Sequence, residues 1–240
     1  MWSRLRYTAV AIGIVALFLI ATFQFVEEYS WSSWNLPLSG KVIVLDAGHG
    51  GPDGGASAEG ILEKDIALSI TKMVRDYLQE QGALVIMTRE KDKDLAGDIA
   101  GYRARKREDL KKRVEIINDS QADLYLSIHL NAFPSSKYSG AQTFYTMRYK
   151  ENKEVAKFIQ YELTHNLNNT TREAKSIDHV YVMKYAKKPG ALVEVGFLSN
   201  ANERAQLTKS SYQNKVSASI YKGIMRYFTE GTMKDDEDGE

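Results

Sequence analysis

Four side chains have the types and the placing for chemistry: His49 in LDAGHGGPDGG, Glu63 in LEKDIAL, His129 in SIHLNAF and Glu194 in ALVEVGFLSN. Three of them have ordinary readings. His49 fits a tight turn, His129 a satisfied residue at a strand end, and Glu63 an acid favouring the helix dipole. Glu194 is harder to dismiss, because an unpaired carboxylate buried in an apolar strand is costly enough to be rare. Something cationic should face it. The chain has no cysteine, which removes disulfides, thiolate nucleophiles and thiolate zinc sites and leaves imidazole and carboxylate as metal ligands. Two histidines and two glutamates at one sheet edge match a hydrolytic zinc site: three ligands, one open position and a general base.

Rival templates fit less well. The glycine loop lacks the GxxxxGK[ST] lysine of a phosphate cradle, and neither a GxSxG elbow nor an HExxH helix is present. A paired-carboxylate glycosidase drawing on Asp46, Glu63 and Glu194 stays open, although it leaves both histidines unexplained. With 32 basic against 31 acidic residues the net charge is +1, so bulk charge gives no nucleic-acid footprint and no polybasic membrane patch.

What must position these groups is an α/β sheet, since in open sheets of this kind the site gathers beyond the carboxyl ends of the strands. KVIVLDAG reads as a buried strand, and Ile66, Ile70, Val74 and Leu78 mark one face of a helix over Glu63 to Gln81 that Gly82 ends. ALVIM, LYLSIHL, GAQTFYT, VYVM and ALVEVGF read as further strands. Helical spacing recurs over Asp109 to Asn118, at Val155, Ile159 and Leu163, and from about Tyr212 to Phe228. Alternation of this kind predicts a single α/β domain, a twisted, mostly parallel sheet with helices on both faces. The charged stretch Glu90 to Glu108 reads as a long solvated loop.

The chain start differs in character. From Tyr7 to Val26 there is no charged residue, with Arg4 and Arg6 before the run and Glu27 and Glu28 after it. That is the length of a membrane-crossing helix, and the arginines place the N-terminus in the cytoplasm. No small-x-small cleavage site is clear, which favours an uncleaved anchor over a signal peptide. The expected organisation is a cytoplasmic N-terminus over 1–6, a transmembrane anchor or signal over 7–26, a linker over 27–40, the zinc-binding domain over 41–230 and a disordered acidic tail over 231–240.

LDAGHGGPDGGA, LEKDIAL, ADLYLSIHLNAF and PGALVEVGFLSN together resemble the signature blocks of the zinc-dependent N-acetylmuramoyl-L-alanine amidases, which cut peptide stems from bacterial peptidoglycan. The resemblance spans roughly Lys41 to Phe228. It implies that His49, Glu63 and His129 hold one Zn²⁺ per chain and that Glu194 is the catalytic glutamate. A narrower likeness, through the anchor, LPLSGKV, DYLQEQGALVIMTRE and NLNNTTREAK, is to the germination-specific members found in endospore formers. That likeness implies spore-cortex peptidoglycan as substrate, a step towards muramic δ-lactam, and an extracytoplasmic domain on a membrane-anchored or exported chain. Whether an activator protein is needed is left open, as are two other readings: a non-catalytic peptidoglycan-binding protein and a zinc peptidase acting within the stem. The chain departs from the family pattern at Ala47, where proline is frequent, and in lacking wall-binding modules. Asn131 is a candidate for orienting a ligand or for capping. His179 is a weaker candidate for substrate contact, and His165 reads as a surface residue.

Overall fold

The structure, a computed structural model, describes residues 6–7, 12–23 and 36–231. Three strands with almost unbroken apolar runs lie side by side in the sheet: β1 (Val42–Ala47), β5 (Leu124–Asn131) and β8 (Gly190–Phe197). Such runs suit strands that are covered on both faces. Between β1 and β5 the chain forms a small hairpin, β2 (Ser57–Ala58) with β3 (Ile61–Leu62), and then β4 (Leu84–Met87). β6 (Gln142–Tyr145) and β7 (Lys175–Ser176) come before β8 in sequence. The strand order is β4-β1-β5-β8-β6-β7. β4, β1, β5 and β8 run parallel, β6 runs antiparallel to β8, and β7 is parallel to β6.

The two faces are covered unequally. Ile43, Leu45, Leu126, Ile128 and Val193 point into a large core. It is built with helices α1 (Glu63–Glu80), α3 (Lys150–Leu167) and α6 (Ser210–Glu230). Val44 and Tyr125 point the other way, against Val114 and Ile117 of α2 (Tyr102–Asp119) and Val182 of the one-turn helix α4 (Tyr181–Tyr185). A further short helix, α5 (Ala201–Leu207), follows β8. Because side chains alternate along a strand, Asp46, Ser127, His129 and Glu194 share the thinly covered α2 face. The register sets Asp46 beside Ser127 and His129 beside Glu194.

α1 bears out its spacing: Ile66, Ile70, Val74 and Leu78 are buried, and Gly82 follows the C-cap with φ +88°, a left-handed geometry that glycine adopts freely. Two expectations are corrected. VYVM is not a strand, because Tyr181 to Tyr185 make a helical turn with their rings 4.6 Å apart while Val182 and Met183 turn inward. Four apolar residues carry too little period to separate the two. The stretch Glu90 to Glu108 is not loop throughout either, since α2 begins at Tyr102. Some of its charge is tied internally: Arg105 Nη2 reaches Asp94 at 2.6 Å, and Leu95 N–H donates to Asp109 at 2.8 Å.

At the chain start, residues 12–23 are helical and exposed. Among the described residues no helix is long and apolar enough to cross a membrane. The rest of the expected anchor, except Tyr7, lies outside the described residues, as do residues 27–35 of the linker and 232–240 of the tail. Leu38, within the expected linker, is fully buried, and its N–H donates to the Gln81 carbonyl at 3.0 Å.

Candidate metal centre

β1 runs out at Ala47 into a loop stripped of side chains where the site forms. His49 itself has φ +59°, a left-handed conformation that the surrounding loop imposes. A Cβ on Gly48 would lie 2.6 Å from Nδ1 of His129, and one on Gly55 would lie 2.5 Å from Oε2 of Glu63. Those two glycines leave the space that the functional side chains occupy. The β2–β3 hairpin feeds directly into α1, so Glu63 is the first residue of that helix. A carboxylate there is favoured by the helix dipole, and backbone donors fix it: Ala56 N–H at 2.7 Å on Oε2 and Leu130 N–H at 3.0 Å on Oε1.

The imidazoles close on this carboxylate from both sides. His49 Nε2 lies 3.2 Å from Oε2 of Glu63, and His129 Nδ1 lies 3.0 Å from Oε1. The rings meet edge to face with centroids 5.1 Å apart. His49, Glu63 and His129 each offer a ligand atom, all within 4.8 Å of one another, as a set that could hold a metal ion. Asp53 holds the other ring nitrogen of His49, Nδ1, at 2.9 Å, the kind of support that orients a ligating histidine. Burial works against charge on His49, but Asp53 and Glu63 outweigh it and raise its pKa to about 9. Burial likewise opposes charge on Glu63, yet His129 and His49 hold its carboxyl well below the usual range.

Glu194 stands apart from this set. It keeps some exposed surface as a residue, but its Oε2 is buried without a hydrogen-bond partner. Burial pushes its pKa up to about 7, against the pull of His129 and with the added push of Glu63. A cation held by the three donors would supply the positive charge this carboxylate lacks, and an imidazole–imidazole–carboxylate set is a recognised zinc donor set with a position to spare. The residues fit the ion.

Below the site lies a brace that the sequence alone did not reveal. Arg113 is buried and donates to Asp46 at 2.7 Å, to Asp109 at 2.8 Å and to the Ala47 and His49 carbonyls. Arg89, also buried, donates to the Ala47 and Gly48 carbonyls at 2.9 and 2.8 Å. The remaining contacts of Asp46 are the hydroxyls of Ser127 at 2.6 Å and Thr88 at 2.7 Å. With both oxygens engaged, Asp46 is a structural partner and not one of a pair of glycosidase acids. Asp109 and Arg113, four apart on α2, were the available signal.

This brace makes a stability prediction. Arg113→Met would leave two buried carboxylates without their cation, and breaking such a pair typically costs about 3–5 kcal/mol. Burial favours the neutral form of Asp46, but Arg113, Ser127 and Thr88 bring its pKa from 3.8 down to about 2. Its contribution is therefore complete above the unfolded value and is lost as pH falls through 3.8 towards 2, amounting to about 2 kcal/mol. Urea denaturation between pH 7 and 2 checks both. A variant within 1 kcal/mol of the parent, or a parent indifferent to acid in that window, would show that the brace carries no stability.

None of the other candidates belongs to the His49–Glu63–His129 set. Asn131 ends β5, paired in register with Phe197. The His179 side chain is 78% exposed beside Asp178. His165 stacks on Tyr161 along α3.

Residues 43–226, well over half of the chain, match the family N-acetylmuramoyl-L-alanine amidase. The chain belongs to that family. It is a homologue of the germination-specific N-acetylmuramoyl-L-alanine amidase of Bacillus subtilis (strain 168), with 58% identity over 231 residues that cover 96% of this chain and 98% of the relative. Among solved structures, the CwlD amidase from Clostridioides difficile, in complex with the GerS lipoprotein, matches with a TM-score of 0.77 and 45% identity, covering 79% of this chain and 99% of that one. An N-acetylmuramoyl-L-alanine amidase from Clostridium difficile 630 matches with a TM-score of 0.70 and 27% identity, covering 80% of this chain and 98% of that one. The amidase family and the mixed α/β domain with its mostly parallel sheet agree with what the sequence blocks implied.

Proposed function

We propose that this chain hydrolyses the amide bond between the lactyl group of N-acetylmuramic acid and L-alanine, with one Zn²⁺ on His49, Glu63 and His129. The observation that carries the reading is Glu194: a half-buried carboxylate with an unpartnered oxygen, paired in register with His129, one of three converging ligand residues. When bound, zinc supplies Lewis acidity and lowers the pKa of a water towards neutrality. Glu194 takes a proton from the attacking water as its oxygen bonds to the carbonyl carbon, and returns it to the alanine nitrogen as the C–N bond breaks. Asp53 keeps His49 in the ring orientation that presents Nε2, and the backbone bonds from Ala56 and Leu130 keep both Glu63 oxygens in place.

The setting follows from the relatives. A germination-specific homologue supports action on spore-cortex peptidoglycan, where loss of the peptide prepares muramic acid for δ-lactam formation. The neighbour's complex with a lipoprotein supports a partner of that kind for this chain. The uncharged run over 7–26 supports a membrane anchor that holds the domain outside the cytoplasm, which protease treatment of intact protoplasts would test by removing everything beyond about residue 27.

Digestion of purified peptidoglycan by the zinc-loaded chain decides the reaction. New N-terminal alanine on intact glycan is the expected product. New reducing sugars would replace the reading with a glycosidase, termini inside the stem with a peptidase, and no product with a binding protein.

A further inference from the structure

The strands that carry His129 and Glu194 continue into two loops, and these loops build an aromatic ledge that the chemistry above does not use. Gln142 on β6 is the cross-strand partner of Glu194 and so shares its face. Its side-chain oxygen accepts from Arg172 Nη1 at 3.2 Å. The Arg172 guanidinium lies 5.3 Å over the Phe197 ring and also donates to the Ser139 carbonyl at 3.0 Å. Phe197 is stacked with Tyr138 at 6.3 Å, and Tyr138 meets Phe133 edge to face at 4.8 Å. Contacts therefore run without a break from Glu194's neighbour to Phe133.

The far end of that series is open. Phe197 is buried, whereas Tyr138 is 45% and Phe133 53% exposed. The loop that displays them is tied down on three sides. Phe133 N–H donates to Ser199 Oγ at 3.2 Å, Asn200 Nδ2 donates to the Ser136 carbonyl at 2.9 Å, and Gly140 N–H donates to Glu203 at 2.9 Å. Glu203, a buried carboxylate, also accepts from Phe197 N–H at 2.8 Å, which locks the two loops to each other. Two exposed aromatic rings held this firmly beside a site form a prepared contact surface.

We propose that Phe133 and Tyr138 form a saccharide subsite on which a sugar ring of the glycan strand stacks, with Gln142 and Arg172 meeting its polar edge. The inference rests on the amidase reading: the scissile amide hangs from a muramic acid ring, so once its carbonyl reaches Glu194 the neighbouring sugars must lie on adjacent surface. A pyranose has an apolar C–H face and a rim of hydroxyl and acetamide groups, which suits an aromatic face bordered by an amide and a guanidinium.

The test compares Phe133→Ala, Tyr138→Ala and the double variant with Leu84→Ala, an exposed residue on the far edge strand, using polymeric peptidoglycan and a soluble muramoyl peptide with a single sugar. The double variant should raise KM on the polymer about tenfold, the order expected from losing the burial of one ring face, with kcat and zinc content unchanged and the single-sugar substrate cleaved as before. An equal loss on both substrates, or no loss on either, would overturn the subsite. Binding gives a second readout that does not depend on turnover: the parent chain should co-sediment with glycan strands stripped of stem peptides, and the double variant should not. Parent protein that ignores stripped glycan overturns the subsite while leaving the amidase intact, and parent protein that releases no N-terminal alanine from either substrate overturns both.

Discussion

Glu194→Gln should yield a protein that folds and takes up zinc as the parent does, yet turns over peptidoglycan about 10²–10⁴-fold more slowly, the usual contribution of a general acid–base group. The amide preserves the size of the side chain and removes both the charge and the exchangeable proton. Oε2 of Glu194 has no hydrogen-bond partner to lose, so the substitution breaks no protein contact at that atom. Burial pushes the carboxyl up to about 7, so its charge opposes folding and removing that charge should not destabilise the chain. Single-turnover hydrolysis together with metal analysis reads the outcome. Loss of zinc from this variant would make Glu194 a ligand and reopen the role of Glu63. Near-normal turnover with zinc retained would reduce Glu194 to a structural carboxylate, and the base would have to lie elsewhere on the α2 face.

The second large effect concerns the donor set. Chelation should abolish turnover, and added zinc should restore it. His129→Ala should lose zinc and at least about 100-fold in activity, a larger loss than the 10–100-fold that follows removal of an outer supporting group. The same variant should remain folded, because His129 is partly exposed on its strand while Ile128 and Leu130 on either side are buried. Near-parental circular dichroism with zinc gone is the expected signature. Full zinc occupancy in His129→Ala would show that the set His49, Glu63 and His129 is misassigned.

The sequence disclosed the site where a residue type contradicted its surroundings. Glu194 interrupts an apolar strand, and His49 sits among glycines that clear space for it. It concealed what was consistent with its surroundings. Arg113 and Asp109 look like an ordinary i,i+4 surface pair, and only the return of β1 beneath α2 turns them into buried partners of Asp46. Asp53 looked like one more loop acid, although it stands four residues after His49 and holds that ring at 2.9 Å. The sheet was legible from its apolar central strands. The two-residue β7 and the single turn of α4 were not, because segments that short express no period. The first turns of α2 were hidden by their dense charge, of which Arg105 turns back onto Asp94 and the Gly97 and Ile99 carbonyls.

The two guanidinium groups beneath the loop take no part in the chemistry, yet they hold the backbone that carries His49. Three successive carbonyls, those of Ala47, Gly48 and His49, are each claimed by Arg89 or Arg113. Both donors stay protonated at any pH a cell meets. The ordering entropy of the loop is thus met once, during folding, and not again at each arrival of an ion. A loop held by the chain's own side chains in this way should order on folding whether or not the ion is present. Loaded and unloaded chains should then differ in melting temperature only by the mass-action increment that a ligand confers on a ready-made site.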